Sequence, residues 1–188
     1  LIINELNTPH NMSVLVFLEN WDGKFKKLSF ELVSYASKIA EMQNTETIAL
    51  SIGIVESDEL QKLANYGASK IVSVENQKFN SLDDQAFTSV ISEISKTHNA
   101  SIIVLSNNNT GKSIAPRLSV RLKAGIASGV SQLPLSLNPF VVYKKVYSGK
   151  AFAHVKINTE IKIITLAQNS FELVENKNAL IYVAMGKL

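Results

Sequence analysis

Ser101-Ile102-Ile103-Val104-Leu105-Ser106-Asn107-Asn108-Asn109-Thr110-Gly111-Lys112-Ser113 reads as a strand, a polar loop and the opening of a helix. An unbroken aliphatic run with no polar alternation suits a strand covered on both faces, as the central strands of a parallel sheet must be. Working outward, the same alternation recurs. A run at Val14-Leu15-Val16-Phe17-Leu18 leads through a turn at Asn20-Trp21-Asp22-Gly23 to helical spacing at Leu28, Leu32, Tyr35 and Ile39. Then follow a strand over 47–54, a helix over 57–65, a strand over 70–74, a helix over 83–97, the strand over 101–105 and a helix after Gly111. Strands alternating with helices predict an α/β fold with a mostly parallel, doubly wound, Rossmann-like sheet.

The character changes after Gly125. Runs at 140–146, 151–157 and 161–166 are separated by short polar or glycine-containing turns that leave no room for crossover helices. They read as an antiparallel meander or ribbon, a C-terminal extension of the parallel sheet. The tail, 178–188, holds one more apolar run at 179–184, whose place in the sheet the pattern does not give.

A chain of 188 residues with 46% hydrophobic and 19% charged residues has enough apolar surface for its own core. Its apolar runs are too short to span a membrane. The absence of cysteine excludes a disulfide framework, a thiolate nucleophile and any sulfur-liganded zinc. The net charge of +3 comes from 19 basic and 16 acidic residues scattered along the chain, with no basic run to track a phosphate backbone, so nucleic acid is not an expected partner. No secretory signal pattern opens the chain, and an intracellular protein is expected. Residues 1–11, ahead of Met12, read as a tag or upstream tail, and 12–188 as the domain.

The loop at Asn109, Thr110, Gly111 and Lys112 carries the one chemically suggestive pattern. It follows a strand and opens a helix, where free N–H groups, a partial positive charge and a lysine favour an anion or nucleotide. The Walker A pattern is missed by one residue, because Ser106 stands at the first glycine position and loses the backbone freedom that wraps a loop around phosphates. No magnesium-binding aspartate follows in Gly125-Ile126-Ala127-Ser128-Gly129-Val130. The alternative is plain capping by Asn109 or Thr110, with Lys112 in water. His10, His98 and His154 have no metal-binding spacing, and His154, in an alternating run, is expected to face solvent or a partner. Asp83-Asp84 reads as a helix start capped by Ser81 or Asp83. Trp21 and Tyr147 are expected to pack. No residue reads as catalytic.

Several blocks in order resemble the electron-transfer flavoprotein alpha-subunit family: Val14-Leu15-Val16-Phe17-Leu18-Glu19 with its helix, Thr110-Gly111-Lys112 leading into Ala115-Pro116-Arg117-Leu118, then Leu122, Gly125 and Ser128, the turn Tyr147-Ser148-Gly149-Lys150-Ala151, and Phe171. Gly129 and Ala167 depart from the family's usual aspartate and arginine. The resemblance covers about 12–171 and implies an N-terminal domain with an adenine-nucleotide alpha-hydrolase-like sheet. It also implies a beta-subunit partner, flavin dehydrogenases as electron donors, and FAD held mostly by a glycine-rich C-terminal domain that does not appear before Leu188. No FAD-binding residue carries over, and this stretch alone is expected to be colourless, with no cofactor of its own. Bacterial cytoplasm is the expected location, or the mitochondrial matrix in a eukaryote. The alternative is a nucleotide-binding module resembling universal stress proteins, which the isolated glycines Gly125, Gly129 and Gly149 serve poorly.

Overall fold

The computed structural model describes residues 12–75 and 83–175 in full and the backbone of 182–186. In chain order the elements are β1 (Ser13–Leu18), β2 (Asn20–Trp21), β3 (Lys24–Phe25), α1 (Lys27–Gln43), β4 (Glu46–Ile52), α2 (Ser57–Ala64), β5 (Lys70–Val74), α3 (Asp84–Thr97), β6 (Ala100–Ser106), α4 (Asn109–Leu122), β7 (Gly125–Val130), β8 (Ser136–Leu137), β9 (Phe140–Val146), a 3-10 turn (Tyr147–Gly149), β10 (Ala151–Ile157), β11 (Lys162–Leu166) and β12 (Tyr182–Gly186). The main sheet runs β10-β9-β7-β11-β6-β1-β4-β5-β12, with β8 on β9. Every pairing from β7 through β12 is parallel. The α/β, mostly parallel architecture is the expected one.

Strand β1 is buried along its whole length because its two faces meet two different layers. Val14, Val16 and Leu18 face a cluster with Leu32 and Tyr35 of α1 and Leu60 and Leu63 of α2. Leu15 and Phe17 face the opposite cluster with Phe87, Val90 and Ile91 of α3 and Ile114 and Leu118 of α4. Side chains alternate across a strand, so a continuous apolar run is what two helical layers require. Each such side chain stabilises the fold by about 1.5–3 kcal/mol through burial. Helix α1 ends on Asn44 at φ 53, with Thr45 N–H donating to the Ala40 carbonyl at 2.9 Å, a left-handed cap that asparagine tolerates.

The run over 161–166 corrects the expected meander. Strands β9 and β10 do form an antiparallel ribbon, joined to β7 by the bridge Val130↔Lys144, but β11 lies parallel between β6 and β7. The ribbon makes the return trip that helices make elsewhere. It brings Ile157 beside the start of β7, where a Cβ on Gly125 would fall 2.4 Å from Ile157 Cγ2. There Gly125 N–H donates to Thr159 Oγ1 at 2.7 Å and to the Ile161 carbonyl at 3.2 Å. Residues 158–161 therefore suffice to start β11 in the slot that the α4 crossover leaves open.

Smaller differences follow from local geometry. Strand β4 stops at Ile52 because Gly53 turns at φ 105, which leaves Ile54 exposed. The apolar tail supplies β12 as the edge strand beside β5, while the rest of 176–181 and residues 1–11 lie outside the described residues. Among the described residues no helix is long and apolar enough to cross a membrane.

Candidate functional site

The strand order reverses direction at β6 and β1: from β1 the chain winds outward through β4 and β5, then returns to place β6 on the other side. In open α/β sheets the crevice at the carboxyl ends of such a pair is where ligands bind. Two loops meet there, Glu19 after β1 and the asparagine tract after β6.

The helix α4 cap is Asn108, one residue before the two expected. Its Oδ1 accepts from Gly111 N–H at 2.9 Å, and its Nδ2 donates to Glu19 Oε1 at 2.7 Å. The Ser106 hydroxyl lies 2.9 Å from Glu19 Oε1 and 2.7 Å from Asn108 Oδ1, so one proton is shared between two acceptors. A carboxylate of the chain itself therefore stands at the amino end of α4, where the helix dipole favours negative charge. Gly111 is forced by packing: a Cβ there would lie 1.7 Å from the Ser106 carbonyl oxygen. Asn107 turns the other way, donating its N–H to the Leu166 carbonyl at 2.9 Å and accepting from Thr165 Oγ1 at 2.8 Å, while Gly129 N–H donates to Thr165 Oγ1 at 3.0 Å. The tract thus ties β6 to β1 through Glu19 and to β7 and β11 through Thr165. Of the residues singled out from the sequence, Gly111 is buried, Thr110 half-buried, and Asn109 and Lys112 exposed. Asn108 was missed because three consecutive asparagines leave the cap register open, and pairing with Glu19 spans 89 positions.

Asp83 caps α3 as expected, accepting from Gln85 N–H at 2.9 Å and Ala86 N–H at 3.3 Å, whereas Ser81 lies outside the described residues. Two aromatics expected to pack do not. Trp21 is 50% exposed at the β2–β3 hairpin, with Lys26 Nζ 4.0 Å from its ring, and Tyr147 is 80% exposed on the 3-10 turn. The hairpin explains Trp21: Asp22 and Gly23, both at positive φ, make a two-residue turn that projects it past the end of β1. His154 is exposed, opposite Tyr143 in the ribbon. His98 sits at the end of α3 with Nδ1 3.5 Å from Lys70 Nζ. Burial and then the Lys70 charge hold it below the ordinary imidazole value, against the opposing pull of Glu46. His10 lies outside the described residues, among which no three His, Asp or Glu side chains gather as a metal would require.

Glu31 carried no sequence signal beyond its position one turn before Tyr35 on the apolar stripe of α1. It is 1% exposed, and its carboxylate accepts the N–H groups of Asn169 at 3.1 Å, Ser170 at 2.8 Å and Phe171 at 3.1 Å. Ser34 Oγ accepts Val174 N–H at 3.1 Å, and Phe171 packs edge-on to Tyr35 at 5.4 Å. The link leaving β11 is pinned across α1 by these contacts.

The electron transfer flavoprotein domain family matches residues 14–181. The chain is 25% identical over 162 residues to the electron transfer flavoprotein subunit alpha of Bacillus subtilis (strain 168), covering 86% of this chain and 49% of that protein. It is 26% identical over 145 residues to the subunit of the same name from Syntrophomonas wolfei, covering 77% and 44%. It is 23% identical over 128 residues to the acryloyl-CoA reductase electron transfer subunit beta of Anaerotignum propionicum, covering 68% and 35%. The chain thus spans about half or less of the length of these curated relatives. With blocks, topology and relatives in agreement, the chain belongs to the electron transfer flavoprotein domain family, and its resemblance to the alpha subunits stands.

Proposed function

We propose that the chain is the N-terminal scaffold and subunit-interface domain of an electron-transfer flavoprotein alpha subunit. With a beta subunit it carries electrons through FAD from dehydrogenases, such as acyl-CoA dehydrogenases, toward a quinone reductase. The observation that carries the interface reading is the outward face of the β9–β10 ribbon. Register pairs Phe152 with Lys145, His154 with Tyr143 and Lys156 with Val141, so these six side chains share one face. Phe152 is 59% exposed and stacks on Tyr143 at 5.1 Å, with the His154 ring 5.9 Å from Tyr143. An exposed aromatic cluster is what the buried centre of a protein interface is made of, with polar and charged side chains at its rim.

Bound FAD supplies the redox chemistry in such a protein. The strand-end loop of this chain fits its pyrophosphate poorly: Asn108 Oδ1 already takes the Gly111 N–H at the helix start, and the Glu19 carboxylate stands beside it. This supports a scaffold role for the domain, with the flavin held elsewhere in the intact protein.

Co-expression with an electron-transfer flavoprotein beta subunit from the same organism, followed by affinity capture and an absorbance spectrum of the chain alone, tests the reading. The expected result is stoichiometric capture and no flavin bands from the isolated chain. A yellow, FAD-saturated preparation of the chain alone, or failure to capture the beta subunit, overturns it.

A further inference from the structure

Acidic residues stop at Glu93 and resume at Glu160, and nine cations with no Asp or Glu lie between them. The basic residues are scattered along the chain, but their counter-charges are not. Four of the nine, Lys112, Arg117, Arg121 and Lys123, belong to α4 or to the residue that caps its end. Helix α4 turns Gly111, Ile114, Ala115, Leu118 and Leu122 inward, so the helical period sends the opposite ridge to solvent. Val120 stands on that ridge, 82% exposed, with the exposed Pro116 one turn before it. Lys112 precedes Pro116 by a further turn, and Arg117 and Arg121 line the adjacent ridge. None of these cations meets a carboxylate among the described residues, where the ion pairs are Lys38–Glu41 and Lys62–Glu59. Arg121 donates to Ser89 Oγ of α3 at 2.8 Å, and Asp84 of α3 accepts the Ser113 hydroxyl. The outward face of α4 is therefore a cationic ridge without counter-charge, carrying one branched apolar side chain on its crest.

We propose that this face of α4 docks on an anionic lipid surface, lying flat on the headgroups without entering the hydrocarbon. A bilayer rich in anionic phospholipids is a fluid sheet of phosphates, and it asks of a protein only that several cations share one plane. Lysine and arginine along a helix of about 21 Å meet that demand, since their long stems let each head reach its own phosphate. Val120 adds the shallow apolar contact that interfacial helices make. With no carboxylate on α4, nothing on the helix repels the approaching phosphates. A protein partner asks for more: the centres of protein interfaces are built on aromatic anchors, and α4 carries no aromatic residue, the exposed rings Phe152 and Tyr147 standing on the ribbon instead. The inference goes beyond the electron-carrier reading and is tested apart from it, because vesicles require neither a beta subunit nor FAD.

The whole chain is sedimented with sucrose-loaded vesicles of phosphatidylcholine containing about 30% phosphatidylglycerol, and with vesicles of phosphatidylcholine alone. The expected result is binding to the anionic vesicles at about 50 mM salt, at least about tenfold weaker at about 200 mM, and none to the neutral ones. Each cation at such a surface contributes about a fivefold factor, so Arg117→Gln combined with Arg121→Gln is expected to weaken association about 25-fold. Both positions are exposed, and an unchanged melting temperature shows that the variant is folded. Lys145→Gln combined with Lys156→Gln removes the same charge from the ribbon and is expected to bind within about threefold of the natural chain. No binding to anionic vesicles at low salt, equal binding to neutral vesicles, or equal losses in the two variants would each overturn the proposal. Tighter binding to poly-glutamate than to vesicles of equal anionic charge would give the face to an acidic polypeptide and overturn it as well.

Discussion

Glu31 pins a distant stretch of chain, since three consecutive backbone N–H groups 138 to 140 positions away end on its carboxylate. Asn169, at φ 56, turns the backbone so that the three donors converge, an anion-binding concavity filled from within. Glu31→Gln keeps the volume but turns one acceptor oxygen into a donor facing donors. The expected cost is about 2–3 kcal/mol, read as a lower urea midpoint with faster exchange of the 169–171 amides. An unchanged midpoint would assign the pinning to Ser34 and Phe171 instead. His98 gives the fold a pH dependence whose sign follows from its depressed value. The unfolded chain takes up the imidazole proton near 6.5, while the folded chain takes it at lower pH. Between the two values the unfolded state binds more protons, so stability falls as pH drops from above 6.5 through the folded value. His98→Gln is expected to flatten the decline in unfolding free energy between about pH 7 and 5.5, and equal slopes in the two proteins would refute the assignment.

At the scale of elements, what the sequence could show was whatever local periodicity writes. Strand β5 and helix α3 are where the pattern puts them, because 70–74 is a short β-branched run and Asp83 caps its own helix three residues on. The ribbon of β9 and β10 was legible for the same reason: its outward face alternates with an inward one that packs Phe140, Val142 and Ile157. Strand β11 was legible as a strand and not by its neighbours, because its place depends on Gly125 admitting Ile157 closely, a contact between residues 32 positions apart. The loop after β6 was legible as a helix start, and its glycine as significant. The reason for that glycine was not legible, since the demand comes from the Ser106 carbonyl rather than from a phosphate. Glu19 could be noticed as an acid at the end of a strand, but its link to Asn108 is a tertiary contact that no window of local sequence contains.

At the scale of the molecule, the two helical layers cover both faces of β1, and the ribbon carries an aromatic face beyond them. Scattered exposed apolar residues are ordinary, but here Tyr143 stacks on Phe152 and lies tilted against His154, between Lys145 and Lys156 on a single face. If that face seats a beta subunit, Phe152→Asp combined with Lys156→Glu reverses its character without touching the inward side. Stability of the chain alone should fall by less than about 1.5 kcal/mol, the loss of one stacked aromatic pair. Capture of the beta subunit should fall at least about tenfold, as for the loss of a buried aromatic anchor. Val120→Asp serves as the control, being 82% exposed on α4 and outside the ribbon: it too puts an aspartate in place of an exposed apolar side chain and should leave capture intact. Equal losses in both variants would place the interface, if any, elsewhere, and undiminished capture by the ribbon variant would remove the ribbon from it.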